Sequence, residues 1–258
     1  MLSNTIPLRT STGAGLLSYP LESAGTSGGV DKDISDTLDL LCRTLAPQRR
    51  VVRAGDVVYR VGEPFDNLYI LNSGYCKIVN LSPDGREQVV ALKFRGDWLG
   101  FDGIADRQYS CDAVAIDTGE VWVFPYAAFL AACTTAPALL TAMHEAMSRE
   151  IANDRDSLMS VCTLTAEARV AEFLRYWADS IAQRGMRTDQ ITLRMTRAEM
   201  GNYLGMTLET VSRSLSRLAK EQLIHFAEKG RRDIRIPCVH ALTAFVARSL
   251  LPASRVLQ

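Results

Sequence analysis

Residues 196–215 read TRAEMGNYLGMTLETVSRSL. Thr196 and Glu199 stand three apart, the spacing of a capping box, in which each side chain satisfies the other's backbone N–H at the start of a helix. Met200 and Leu204 then fall on one side. Gly201 leaves room for a second element to approach, and Gly205 allows the left-handed backbone that ends a helix and turns the chain sharply. Thr207 is a cap for a second helix, whose Val211, Leu215 and Leu218 form a buried face. Glu209, Ser212, Arg213 and Ser216 are left on the outer face. Two short helices joined by a glycine turn are a helix-turn-helix, whose second helix fits the DNA major groove. There a glutamate can accept from cytosine N4 and an arginine can donate to guanine O6 and N7, while short Ser and Thr side chains permit close approach. The plain alternative is a surface helical hairpin with ordinary charges.

The flanking segments favour the first reading. Downstream, LIHFAEKGRRDIRI (223–236) predicts two strands joined by a Glu-Lys-Gly turn, which makes the motif a winged one. Upstream, QITLRMT (190–196) predicts a short strand. EARVAEFLRYWADSIAQRG (167–185) predicts an amphipathic helix with Val170, Phe173, Leu174 and Trp177 inward and Gly185 as its stop. Before that, residues 137–165 repeat in heptads. Leu140, Met147, Asp154 and Val161 occupy one core position; His144, Ile151, Leu158 and Thr165 occupy the other. Such a seam needs a partner, and the same helix of a second copy is the simplest one; packing on the chain's own β domain is the alternative. In a two-fold seam Asp154 would face its own copy, and repulsion plus desolvation would keep dimerisation marginal. Otherwise it tilts to solvent or pairs with Arg149 or Arg155 of the partner subunit.

Residues 49–126 have a different texture. Short β-rich runs are punctuated by Ala54-Gly55-Asp56, Gly62-Glu63-Pro64, Asn72-Ser73-Gly74, Pro83-Asp84-Gly85 and Arg95-Gly96-Asp97. Strands ended at such regular intervals predict an all-β barrel or roll. DISDTLDLLCRTL predicts a short helix with Leu38, Leu41 and Leu45 on one face, and the Ser/Thr/Gly-rich residues 1–30 predict a mobile tail. The expected organisation is therefore α+β. It runs as a tail (1–30), a β-roll (31–134), a dimerisation helix (135–163), a winged helix-turn-helix domain (164–240, with the motif at 196–216) and a C-terminal segment (241–258).

The 258 residues carry no net formal charge, yet residues 166–235 hold 13 Lys/Arg against 9 Asp/Glu, leaving 16 against 20 elsewhere. A basic C-terminal half fits a polyanion at that end. No two of the six cysteines lie within four residues, so no metal knuckle or C-x-x-C motif is present. No apolar run is long enough to span a membrane, and residues 1–29 lack a basic region followed by an apolar run. A reducing, cytoplasmic setting with free thiols is the expectation. An enzyme is disfavoured: three scattered histidines accompany no nucleophile elbow, phosphate loop or paired carboxylates.

A β-roll, a heptad helix and a winged helix-turn-helix in this order, over about residues 38–240, resemble the CRP/FNR superfamily of bacterial transcription regulators. TRAEMGNYLGMTLETVSRSLSRL, with its Glu-x-x-Ser-Arg pattern, and GDWLGFDGIA are similar to the FNR/FixK-like branch. The resemblance implies a homodimeric, sequence-specific regulator, an activator working with RNA polymerase, on an inverted repeat close to TTGAT-N4-ATCAA. Carried over by motif position, Glu209, Ser212 and Arg213 read bases, and Arg197, Thr207, Thr210 and Arg217 contact phosphates. Leu140, His144, Met147, Ile151, Asp154, Leu158 and Val161 form the dimer interface.

The family's ligand chemistry is missing. Cyclic-nucleotide binders carry Gly-Glu for the ribose and an Arg-Ser/Thr pair for the phosphate; here Gly100 precedes Phe101-Asp102, and the later pair is Tyr109-Ser110. Arg107 is out of register, and a phosphate would meet Asp112 without its counter-charge. Cyclic nucleotide is therefore not expected. Nor is the [4Fe–4S] cluster of FNR, since no cysteine precedes Cys42 and Trp122 stands at the internal cysteine position. Haem, used by some relatives, stays open, with His144 placed in the seam. A redox switch at Cys76 or Cys111 is a further alternative, as is a cluster-less constitutive binder whose activity is set by its abundance or by proteolysis. The signal is not legible.

Overall fold

The computed structural model describes residues 27–82, 84–227 and 232–250, and the side chains of these from residue 34 onward. Most of the expected tail lies outside the described residues, as does the Glu-Lys-Gly turn of the wing. The chain enters as helix α1 (Ser27–Leu45), which absorbs the last four residues assigned to that tail. Leu38 and Leu41 are buried and Leu45 is partly so, packed on the roll.

The roll comprises β1 (Gln48–Val52), β2 (Val57–Tyr59), β3 (Asn67–Ser73), β4 (Cys76–Leu81), β5 (Glu87–Lys93), β6 (Trp98–Leu99), a short helix α2 (Gly103–Asp106), β7 (Asp112–Ala115) and β8 (Gly119–Pro125). Two antiparallel four-stranded sheets, ordered β1-β8-β3-β6 and β2-β7-β4-β5, face each other. The regular turn signals have a physical basis here: Gly55, Gly62, Gly74, Gly85 and Gly96 all take positive φ, a conformation other residues adopt at a cost.

Helix α3 (Tyr126–Thr135) leads into the long α4 (Pro137–Thr163). The heptad pattern stops there: Thr165, predicted as a seam position, is instead the N-cap of α5 (Ala166–Ala182), where its hydroxyl accepts from the Ala168 N–H. The DNA-binding half continues through β9 (Gln190–Thr192), α6 (Arg197–Leu204), α7 (Leu208–Lys220), β10 (His225–Phe226), β11 (Asp233–Arg235) and α8 (Val239–Ser249). Strands β10, β11 and β9 form one antiparallel sheet. The domain boundary expected at 240 falls inside α8. Leu242 and Val246, one helical turn apart, are buried, so α8 closes this core rather than forming a separate segment.

The two halves share apolar packing. Val79, Val89, Leu92 and Phe94 of the roll belong to the same buried cluster as Trp177, Leu174, Leu204, Leu215 and Leu218. Tyr75 stacks on Trp177 with ring centroids 5.4 Å apart, and Phe94 meets Trp177 edge-on at 5.3 Å. Arg184, at the end of α5, reaches back to the roll, donating from Nε to the Arg95 carbonyl (2.6 Å) and pairing with Asp97 (2.7 Å).

Candidate nucleic-acid interface

Helix α6 starts as its residues require. Thr196 accepts from the Glu199 N–H (3.1 Å), and Glu199 Oε2 accepts from the Thr196 N–H (2.8 Å), a complete capping box. Burial pushes the Glu199 carboxyl up. Lys77 and the Thr196 N–H and O–H outweigh this, so the group ends below its ordinary value. Gly205 takes φ +64°, in the left-handed region. At Gly201 a Cβ would lie 2.5 Å from the Met206 carbonyl oxygen, so only glycine lets the turn fold back onto α6. Arg169 of α5 donates to the Leu204 carbonyl (2.8 Å), satisfying an end carbonyl of α6 beside the turn.

Helix α7 begins at Thr207, which accepts from the Thr210 N–H (3.2 Å). Val211, Leu215 and Leu218 are buried beneath it, with Ser214. Glu209, Arg213 and Ser216 are exposed and Ser212 is half-buried, so the structure brings the predicted base-reading residues onto one outward face. The Glu209 N–H and the Thr207 hydroxyl hold the Glu209 carboxyl below its ordinary value; it stays ionised, an acceptor, at neutral pH. Arg213 Nη2 donates to the Thr210 hydroxyl (3.2 Å), and Thr210 lies 3.1 Å from the Thr207 hydroxyl. These three groups line the N-terminal turn of α7, where the helix dipole favours an anion.

The other predicted phosphate contacts differ. Arg197, the first residue of α6, has its guanidinium 3.4 Å from the Met200 sulfur and 6.0 Å from the Phe226 ring centroid, between motif and wing. Arg217 is paired within the chain, to Glu167 (3.1 Å) and Glu221 (3.3 Å), and ties α7 to α5. Sequence reading passed over two residues. Leu208 is 45% exposed at the first position of α7, one turn before Ser212, an apolar group of the kind that packs on a thymine methyl. Its signal was available, since it follows the cap directly. Asn202 faces the roll, and no local pattern reveals that.

Along α4, Leu139 and Met143 pack into the roll. Leu140, Ile151 and Leu158 form an outward stripe with His144; Ile151 is 50% and Leu158 65% exposed. The rest of Leu140's heptad set lies nearer the chain's own body, although Asp154 is exposed and Val161 is 46% exposed. Met147 packs against the roll core, Asp154 lines a crevice with Lys93, Glu150 and Tyr203, and Val161 lines one with Arg169 and Phe173.

Inside the roll, the rings of Tyr59 and Tyr109 stack 4.1 Å apart, with Tyr69 and Phe65 against them. Asp102 accepts from the Ser110 N–H (2.8 Å), the Ser110 hydroxyl (3.2 Å), the Cys111 thiol (3.2 Å) and the Tyr59 hydroxyl (3.3 Å). Arg107 lies over the Phe65 ring. Burial pushes the Cys76 thiol up to about 12, and burial with the Asp102 charge pushes Cys111 up as well. Neither is a thiolate at neutral pH, the opposite of what a thiol switch needs. The cysteines are free and scattered, and among the described residues no group of three or more His, Cys, Asp or Glu could hold a metal. Nor is any described helix long and apolar enough to cross a membrane.

Residues 49–136 match the cyclic nucleotide-binding domain family and residues 168–245 the Crp-like helix-turn-helix domain family. Electron transport regulator A of Shewanella oneidensis is 32% identical over 182 residues, 70% of this chain and 73% of that protein. The fumarate and nitrate reduction regulatory protein of Escherichia coli (strain K12) is 32% identical over 184 residues, 71% of this chain and 73% of that one. The solved structure of FixK2 from Bradyrhizobium japonicum superposes with a TM-score of 0.68 at 26% identity, covering 77% of this chain and 96% of that one. A β-roll followed by a Crp-like helix-turn-helix defines a DNA-binding transcription regulator, not an enzyme. The chain belongs to the CRP/FNR family, with relatives of the FNR and FixK type.

Proposed function

We propose that this regulator works as a homodimer joined along α4, reads an inverted repeat close to TTGAT-N4-ATCAA, and activates transcription through RNA polymerase. The observation that carries the reading is the outward face of α7: Glu209, Ser212 and Arg213 stand together on a capped helix whose other face is fully buried. In this reading Arg213 donates to the guanine, Glu209 accepts from a cytosine, and Ser212 and Leu208 lie against neighbouring bases. Thr207, Thr210 and Arg197 hold phosphates, and Arg217 joins them only by exchanging its carboxylate partners. The outward stripe Leu140, His144, Ile151 and Leu158 supports the dimer, because an apolar seam on a solvent-facing helix is stable when covered. Met147, Asp154 and Val161 form its inner edge.

The reading includes neither cyclic nucleotide nor [4Fe–4S] cluster. Stacked tyrosines occupy the roll interior, Phe101 follows Gly100 where the ribose-binding glutamate would be, and Tyr109 rather than an arginine directly precedes Ser110. Haem is left out as well: none of the three histidines lies within residues 48–125. The test is titration of the purified protein against the palindrome and base-substituted versions over a range of salt. A specific complex of two chains per palindrome, weakened when the guanines are replaced, is expected; equal affinity for unrelated duplexes refutes it. Cyclic AMP or cyclic GMP at millimolar concentration is expected to leave the melting temperature unchanged, whereas a clear rise would show a functioning nucleotide site.

A further inference from the structure

Helix α6 is held to the roll by a specific polar contact. Strand β5 is the outer strand of its sheet, and an outer strand leaves backbone N–H and C=O groups without a strand partner. The Asn202 side chain meets two of them: Nδ2 donates to the Glu87 carbonyl (2.6 Å) and Oδ1 accepts from the Val89 N–H (2.5 Å). One carboxamide thus stands in for the next strand's peptide. Gln88 Nε2 returns a hydrogen bond to the Asn202 carbonyl. Beside them Lys77 of β4 pairs with Glu199 Oε1 (2.6 Å), while Glu199 Oε2 keeps its place in the capping box. Apolar packing continues underneath through Val89, Leu92, Phe94, Trp177 and Leu204.

The reading face of α7 takes no part in this. Arg213 bonds to Thr210 and Ser216 to the Ser212 carbonyl, both within α7, and Glu209 is exposed. A contact that silenced the protein by masking would cover those residues; this one holds α6 from the other side and leaves them open. We propose that Asn202, with the Lys77–Glu199 pair, is a positioning device that sets the pose of the helix-turn-helix on the roll. It thereby sets the separation of the two reading helices in a dimer and the spacer length that the protein accepts. The inference rests on the reading above of a dimer on an inverted repeat. In such a dimer half-sites recur about one helical turn, roughly 34 Å, apart. One added base pair therefore displaces and rotates a half-site, and only a rigid pose distinguishes spacers.

The experiment compares wild type, Asn202→Ala and Lys77→Ala on palindromes whose half-sites are separated by different spacers, and on one whose half-site guanines are replaced. Wild type is expected to prefer one spacer. Each variant is expected to lose about fivefold of that preference, the worth of a hydrogen bond, while the penalty for guanine replacement stays as in wild type. Unchanged spacer preference in both variants overturns the proposal. So does tighter binding at every spacer, which identifies the contact as a restraint on binding. Should Asn202→Ala also lose its guanine penalty, its reader is misfolded, and Lys77→Ala, which alters only the roll, decides. A wild type that binds single half-sites as well as palindromes refutes the dimer reading itself, a pattern distinct from the others.

Discussion

Arg213 and Arg197 carry the same charge in different settings, so their loss should read differently. Arg213 is exposed on the outward face of α7, and Arg213→Ala is expected to weaken the palindrome by about 1–3 kcal/mol and relax the preference at guanine. Arg197 lies between motif and wing, and Arg197→Ala is expected to weaken all duplexes alike and lower the salt slope by about one. Binding isotherms on matched and mismatched duplexes across salt concentrations separate the two. Glu199 gives a pH prediction. Its folded-state value lies below the ordinary 4.5, so its contribution is present above about that pH and disappears as pH falls through the lowered value. Glu199→Gln keeps a capping residue but loses the ion pair with Lys77. Its melting temperature should fall below wild type at neutral pH and converge with it under acid conditions; a gap that persists in acid would locate the effect elsewhere.

At the scale of elements, α4 is the informative helix. Heptad counting gave seven seam residues equal weight, but one helix must satisfy two neighbours. Its N-terminal half spends Leu139 and Met143 on the roll, which turns Met147 toward the roll core, while Asp154 and Val161 stay exposed beside crevices of the chain's own body. Ile151 and Leu158 remain outward, so Ile151→Lys is expected to leave the single chain's stability nearly unchanged while splitting the dimer. Sedimentation equilibrium beside a thermal melt checks both halves of that statement. Asp154→Ala is expected to tighten the dimer and raise DNA affinity at low protein concentration, because it removes an acid from the seam's edge. An equal or weaker dimer in that variant shows that Asp154 is solvated or favourably paired.

The whole molecule behaves as more than beads on a chain, because Trp177 of the DNA-binding half lies against Tyr75 and Phe94 of the roll. Trp177→Ala removes a fully buried indole and is expected to cost about 3–5 kcal/mol. Since the cluster spans both halves, the loss should lower the unfolding transition of roll and reader together. Calorimetry of the variant decides: one shifted transition follows from shared packing, whereas a reader that melts while the roll holds would show two independent units.

The helix-turn-helix was legible in the chain because its determinants are local. A capping box, a left-handed glycine and a 3.6-residue apolar period act within a few residues of one another, and they specify α6, the turn and α7 before anything packs. The β-roll was legible for the same reason, through turns that need positive φ, and so was its lack of a phosphate-binding arginine. What depended on folding was every relation between residues far apart in sequence. Asn202 meets Glu87 and Val89, Arg217 turns inward to Glu167, α8 joins the reader's core, and α4 divides its faces between the roll and the seam. A side chain's partner across more than a hundred residues is chosen by how whole elements pack, and neither periodicity nor spacing along the chain carries that choice.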